Sequence, residues 1–262
     1  VTIIFVNQST KLPLSVVIIS LNEEVNLPRA IASVAEWVDE VLVYDSGSKD
    51  KTVDVAANLG AKVVQGEWLG FGRTKQKATN LAKYSWVLSL DSDEEVSLEL
   101  RKEIMIKFSS LDENTAYQVP RISYFLGRWI KHGGWYPDYQ TRLFNKKINN
   151  WNEEEIHEKV QANLQSKLVS NLNHYVFRSI EDQVSTNNKY STLQAFQMNK
   201  AGKKFSWVHF FTKPKVKFCE CYILKLGFLD GWPGFVIAVS AAYSVFMKWS
   251  KLYEIERLNQ KS

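Results

Sequence analysis

The sequence predicts an α/β protein whose mostly parallel sheet carries helices on both faces, followed by a helical, basic and aromatic C-terminal extension. Three observations carry that prediction. In the first part of the chain, apolar runs rich in Val and Ile are continuous rather than alternating, the pattern of strands buried on both faces. Segments of helical composition separate those runs, with short connections between them. The last quarter then changes character, because residues 200–262 hold 11 Lys and Arg against 4 Asp and Glu.

Each element follows in order. Residues 14–19 form the first strand, which stops at Ser20-Leu21-Asn22-Glu23-Glu24 before a helix over about 27–35. Residues 40–44 form the second, ending in Asp45-Ser46-Gly47-Ser48-Lys49-Asp50. A helix over 52–59 comes next, with Asp50 as its cap and Gly60 closing it. Residues 61–65 make a third strand, and a loop with Gly66, Gly70 and Gly72 leads to a helix over 74–82. The fourth strand, Trp86-Val87-Leu88-Ser89-Leu90, opens abruptly into Asp91-Ser92-Asp93-Glu94-Glu95, with Ser97 the expected cap of the following helix. Between about 115 and 160 the pattern shifts to short β-like pieces at 116–120, 122–130, 140–144 and near 156–160. Residues 181–200 read as a helix ended by Gly202.

A chain of 262 residues with 45% hydrophobic content has ample material for a core, and neither a repeat nor a low-complexity segment interrupts it. The apolar start at Val1 to Val6 is short and lacks a basic flank, which reads against a secretory leader. Cys219 and Cys221 are too close for a good mutual disulfide, so a reducing, cytoplasmic setting is expected. The net charge of +5 lies entirely in the tail, since residues before it carry 22 basic and 24 acidic side chains. Its aromatic residues are too apolar in pattern for a nucleic-acid groove, so an anionic membrane surface is the expected partner there. From Gly231 to Met247 no residue is charged, a run somewhat short of the roughly 20 needed to span a bilayer, which reads either as a buried helix or, in preference, as one lying in the interface.

The chemistry gathers where strands end. In parallel α/β sheets ligands lie beyond the carboxyl ends of the strands. Asn22 and Glu23, Asp45 with Ser46 and Ser48, and Asp91 with Asp93 all fall there. Carboxylates spaced i, i+2 supply hard oxygen ligands, which suit Mg²⁺ or Mn²⁺ bound beside phosphate oxygens. Gly70-Phe71-Gly72 imitates part of a dinucleotide fingerprint, but it follows no first strand and lacks the third glycine.

The segments Val16 to Glu24, Asp45-Ser46-Gly47-Ser48-Lys49-Asp50-Lys51-Thr52 and Leu90-Asp91-Ser92-Asp93-Glu94, in this order and spacing, resemble the nucleotide-sugar domain of family-2, GT-A-fold glycosyltransferases. The likeness covers about residues 13–160. Within that family the chain most resembles lipopolysaccharide core β-glucosyltransferases, through Trp135-Tyr136-Pro137-Asp138, Arg142-Leu143-Phe144, Ile156-His157-Glu158 and Gly227-Phe228-Leu229-Asp230-Gly231. The resemblance implies a glycosyltransferase domain over 13–178, its nucleotide-sugar half at 13–110 and its acceptor half at 111–178, with a helical extension over 179–262. It implies that Ser20, Asn22, Glu23, Asp45 and Ser46 line the donor side. Asp45 would contact the base or ribose, Asp91 the ribose or the metal, and Asp93 the metal bridging the diphosphate. The helix bearing Arg73, Lys75, Gln76 and Lys77 would pass the donor, with Gln76 and Lys77 as contacts. Relatives often carry Asn where this chain has Ala78, so no side-chain contact is expected from that position.

Inverting transfer needs a general base for the acceptor hydroxyl and electrostatic help for the departing diphosphate. Glu158, in the His157-Glu158 pair, is the first choice of base and Asp138 the second; His157 is a metal ligand or an orienting partner. Arg142 is placed to anchor a carboxylate or phosphate. Tyr124, Phe125, Trp129, Trp135 and Tyr136 serve either core packing or sugar stacking. The expected reaction moves glucose from UDP-glucose to a heptose of the lipid A-linked core, at the inner face of the bacterial cytoplasmic membrane. Alternatives are a family-2 enzyme for another surface glycan or a polyprenyl phosphate, a phosphohydrolase using Asp91 and Asp93, and a non-catalytic, membrane-docked sugar-binding scaffold.

Overall fold

Leu14, Val16 and Ile18 on one side of the first strand, and Val17 and Ile19 on the other, are all buried, so that strand belongs at the centre of a sheet covered twice. The computed structural model, which describes residues 11–152 and 158–259, places it there. In chain order come β1 (Leu12–Ser20), α1 (Leu27–Ala32), β2 (Val38–Asp45), α2 (Thr52–Asn58), β3 (Lys62–Gln65), α3 (Phe71–Asn80) and β4 (Trp86–Asp91). β1 pairs in parallel with β2 and with β4, and β2 in parallel with β3. The register sets Ser20 beside Asp45 and Ile19 beside Asp91, so the three polar strand ends finish level with one another.

One face of this sheet (Val16, Ile18, Val43, Leu88, Leu90) is covered by Leu27, Ala30 and Ile31 of α1 and by Ala56 of α2. The other (Val17, Ile19, Leu42, Tyr44) packs on Ala78 of α3. Beyond β4 follow β5 (Glu94–Val96), α4 (Leu98–Lys107), β6 (Thr115–Phe125), β7 (Arg128–Ile130), β8 (Asp138–Asn145), β9 (Asn150–Trp151), β10 (Val160–Gln161), β11 (Leu164–Lys167) and β12 (Leu172–His174). Antiparallel β8 flanks β4, β6 pairs antiparallel with β8, and β12 pairs antiparallel with β5. The parallel core therefore continues into a mixed sheet, the GT-A-like α/β class the sequence predicts. The helices α5 (Ile180–Lys200), α6 (Trp207–Cys219) and α7 (Gly231–Asn259) complete the chain.

The contacts form two units: residues up to Arg121 with Asp138–His174, and Ile122–Pro137 with everything from Tyr175 onward. The first contains the sheet just described. In the second, Phe125, Ile130 and Ile237 form a small core with Trp135, Phe177 and Val236 against it. There α5 and α7 are tied by Asn187 Nδ2 donating to Ser240 Oγ at 2.8 Å. Gly202, at φ +72°, follows α5 as expected.

Several boundaries differ from the sequence reading. Helix α1 stops at Ala32 rather than 35, because Ser33 turns its hydroxyl back onto Ala30 O (2.7 Å) and accepts from Val96 N (3.1 Å). Helix α3 starts at Phe71, three residues early: Gly70 takes φ +89° and Thr74 Oγ1 accepts from Leu69 N at 3.0 Å, so the apparent loop is the first helical turn. The piece expected over 122–130 is broken by Leu126 and Gly127, both at positive φ, into the end of β6 and β7. Ser97 caps α4 as expected, its hydroxyl accepting from Leu100 N at 3.1 Å.

Glu103 of α4 fastens the chain ahead of β12, accepting from Ser170 N at 2.9 Å and Val169 N at 3.2 Å. Burial pushes its carboxyl up, but Lys107 and these amides outweigh that and hold it below the ordinary range. A depressed folded value means the contribution is present above the unfolded value and is lost as pH falls through the folded one. Glu103→Gln is expected to cost about 1–2 kcal/mol at pH 7. Urea midpoints of the two proteins should converge below about pH 4.

Candidate active site

The loops after β1 and β2 form one knot. Asn22, at φ +57°, donates its N–H to Ser48 Oγ and accepts from Lys49 N on Oδ1, both at 2.8 Å. Glu23 N donates to Thr52 Oγ1 at 2.8 Å, and Glu23 Oε2 accepts from Asn26 Nδ2 at 2.9 Å. Asp45 is wholly buried: Oδ1 accepts from Gly47 N (3.1 Å) and Ser48 N (2.9 Å), and Oδ2 from the hydroxyls of Ser20 and Ser48. Its carboxylate thus closes its own turn. Ser46 Oγ is buried with no hydrogen-bond partner among the described residues.

The D-x-D turn is built by Leu88 and Leu90, which bury β4, and by Glu94 Oε2, which accepts from Asp91 N at 2.9 Å. Three cations converge on it. Lys75 Nζ meets Asp91 Oδ1 at 2.8 Å; Arg142 Nη2 pairs with Asp91 Oδ2 and, at 2.5 Å, with Glu94 Oε1; Arg121 Nη1 lies 3.1 Å from Glu94 Oε1. Burial alone would raise the Asp91 carboxyl, but Arg142, Lys75 and Arg121 outweigh it and hold it well below the carboxylate range. Burial likewise works against the Arg142 cation, and Asp91 and Glu94 more than restore it.

Asp93 points elsewhere. Its Oδ2 lies 3.3 Å from Nε2 of His174, which β12 delivers because His174 sits opposite Glu94 in the β5–β12 register. Two ligands about 2.1 Å from one cation, at right angles, stand roughly 3 Å apart, so this pair has the spacing of neighbouring ligands to a divalent ion. A carboxylate with an imidazole suits Mn²⁺ better than Mg²⁺. Among the described residues no third His, Cys, Asp or Glu completes the set, so water or substrate oxygens would fill the remaining positions.

Both candidate bases enter the same cation cluster. Lys75 Nζ bridges Asp91 to Glu158 Oε1, at 2.8 Å to each. Arg121 grips Asp138 Oδ2 through Nε (2.9 Å) and Nη2 (2.6 Å), while Gln140 Nε2 holds Oδ1 at 2.7 Å. Gln76 ties α3 to β9, accepting from Trp151 N at 2.7 Å and donating to Asn80 Oδ1 at 2.8 Å. Lys77 is exposed, its ammonium 5.8 Å from the centre of the Tyr44 ring.

Comparison with known proteins decides the family. The model for glycosyl transferase family 2 matches residues 15–164. The chain belongs to this family. An uncharacterised glycosyltransferase of Rickettsia typhi is 35% identical over 92% of this chain and 87% of that one. The lipopolysaccharide core biosynthesis glycosyltransferase LpsC of Rhizobium meliloti is 27% identical over 96% of each. Among solved structures, glucosyl-3-phosphoglycerate synthase of Mycobacterium tuberculosis, in complex with Mn²⁺, UDP and glucosyl-3-phosphoglycerate, is 27% identical with a TM-score of 0.36. That likeness covers 42% of this chain and 44% of that one, less than half of either. S. aureus TarS 1–349 covers 95% of this chain and 91% of its own, at 15% identity and a TM-score of 0.45.

In this glycosyltransferase the structure gathers Asp91, Asp138 and Glu158 around Lys75, Arg121 and Arg142. Ser20, Asn22, Glu23, Asp45 and Ser46 lie in the neighbouring knot. His157 lies outside the described residues. Gln76 faces β9, with both amide atoms engaged by protein. Two residues of this candidate site escape a reading by strand ends. His174 lies on a short strand with no motif around it. Lys75 carried a signal in its helical spacing with Gly72, Ala78 and Thr79, the small residues of α3's buried face.

Proposed function

We propose that this family-2 enzyme moves glucose from UDP-glucose, with inversion, onto a heptose of the lipid A-linked lipopolysaccharide core at the cytoplasmic face of the membrane. One observation supports it most. Asp91, Asp93, Glu94, Asp138 and Glu158 set five formal carboxylates against three cations, Lys75, Arg121 and Arg142. A site with two negative charges in excess repels a diphosphate unless a divalent cation enters with it, and the Asp93–His174 pair has the spacing to hold one. Bound there, Mn²⁺ or Mg²⁺ would neutralise charge on the leaving diphosphate. The likeness to LpsC over nearly the whole chain supports the acceptor class.

Glu158 takes the proton from the acceptor hydroxyl as its oxygen bonds to the anomeric carbon. The bond from that carbon to the diphosphate breaks on the opposite face, and the electron pair leaves with UDP. Lys75 positions Glu158 relative to Asp91. Both oxygens of Asp138 are engaged, so we assign it to holding Arg121. Asp45 and Ser20 shape the nucleoside loop from within, and the Ser46 hydroxyl is the donor contact that loop offers.

Purified protein given UDP-glucose, Mn²⁺ and lipid A–heptose acceptor is expected to yield a β-glucoside. The absence of both transfer and donor binding by calorimetry would sink the enzyme reading; transfer only to a polyprenyl phosphate would replace the acceptor. Glu158→Gln should lower kcat about 10²–10⁴-fold with little change in donor KM. If Asp138→Asn produces that loss and Glu158→Gln does not, the base is Asp138.

A further inference from the structure

Helix α6 has no buried residue, although Trp207, Val208, Phe211 and Val216 are among its side chains. Behind it, one π-helical turn (Glu220–Leu224) and one 3-10 turn (Gly227–Asp230) expose Ile223, Leu224, Phe228 and Leu229, and Trp232 continues the ridge. Leu224 is 76% and Trp232 67% exposed. Consecutive large apolar side chains facing water at the tip of a hairpin are not the scattered exposure ordinary surfaces show.

The charges around this ridge have one sign. Lys203, Lys204, Lys213 and Lys215 are exposed. From residue 201 to 231 the acids are Glu220 and Asp230. Glu220 is paired with Lys225 (2.5 Å) and Lys217 (3.1 Å), while Asp230 is buried, accepting from the backbone of His132 (2.7 Å) and Lys131 (3.1 Å). Lysines flanking Trp, Phe and Leu match an anionic lipid surface, headgroups to the ammonium groups and upper acyl chains to the rings.

The geometry points to a monotopic insertion surface: the ridge formed by α6, the two turns and Trp232 enters the headgroup region of an anionic leaflet, with α7 lying along it. Residues 227–258 are long and apolar enough to cross a membrane. Crossing would carry α5 along, because Asn187 bonds Ser240 in mid-helix and Lys251 Nζ binds Asn188 Oδ1 and Thr192 Oγ1, both at 2.7 Å. A polar helix dragged into hydrocarbon opposes that arrangement. A flank of α7 about a quarter-turn from Ser240 instead exposes Val239, Tyr243 and Phe246, continuous in helical spacing with Trp232. This surface does not depend on which sugar the enzyme moves.

The test uses the full chain and vesicles free of glycan. Sedimentation is expected with phosphatidylglycerol-containing vesicles and not with pure phosphatidylcholine. Lys213→Ala with Lys215→Ala should weaken binding about thirtyfold, from roughly 1 kcal/mol per lysine at the surface. Leu224→Asp with Trp232→Asp should abolish it while the thermal melt stays unchanged, since both side chains are exposed. Unaltered binding of either variant overturns the proposal, as does equal binding to both vesicle types. Retention in the pellet after alkaline carbonate would establish a spanning helix instead. A dimer in solution that the aspartate variant dissolves, without vesicle binding by wild type, would assign the ridge to a second copy of the chain.

Discussion

Asp93→Ala is expected to lower sugar transfer by about a thousandfold or more, the scale of several kcal/mol of charge stabilisation lost from a leaving diphosphate. The two aspartates of the turn are held differently. Asp91 meets Lys75 and Arg142 and is locked as an anion by them. Asp93 has His174 as its partner at 3.3 Å, a pair whose spacing a cation can take up without moving either side chain far. His174→Ala should therefore weaken Mn²⁺ binding too, by about 10–100-fold, because a neutral ligand contributes less than a charged one. Electron paramagnetic resonance titration of Mn²⁺ reads both effects without turnover. An Asp93→Ala protein that keeps wild-type Mn²⁺ affinity and rate would remove the metal from this pair.

The difference between those two aspartates also marks what the sequence can carry. Strands buried on both faces must be continuous apolar runs, so β1, β2 and β4 are legible, and so are the acids at their ends. The depth of those acids is not. Asp45 reads like a ligand from its position, yet Gly47 and Ser48 wrap its carboxylate with donors, a folding of the loop that no spacing announces. The break between β6 and β7 is hidden because Leu126, an ordinary strand residue, takes φ +46° there. His174 reaches Asp93 only through strand pairing across β5, a long-range register set by the whole sheet. Lys75 was the exception, legible in principle: a charge on the small, apolar face of an amphipathic helix has to find a buried partner, and it finds two.

Arg142→Met should destabilise the protein by about 3–5 kcal/mol, because removing one member of a buried ionic cluster leaves Asp91 and Glu94 with too little positive charge from Lys75 and Arg121. Arg142 is 3% exposed and Glu94 not at all, so solvent cannot replace the lost guanidinium. Met matches the unbranched stem as far as Nε, which concentrates the change on the guanidinium. Adding Glu94→Gln to the variant should recover part of the loss, since the amide no longer needs a cation, whereas alone it should harm the wild type by taking from Arg142 one of its two carboxylates, Asp91 and Glu94. Urea unfolding of the four proteins in a double-mutant cycle measures that coupling; additive losses would show that Arg142 and Glu94 act independently. A cluster of this kind seldom adds net stability over an apolar core of the same volume. Its value lies in fixing where the charges stand. Arg142 binds Asp91 and Glu94 at once, Lys75 continues from Asp91 to Glu158, and Arg121 continues from Glu94 to Asp138. Each proposed reacting carboxylate is thereby referred to the same guanidinium, so loosening Arg142 should disturb Glu158 and the Asp91–Asp93 turn together. The transfer rate of Arg142→Met, measured well below its melting temperature, should fall further than its folded fraction alone explains.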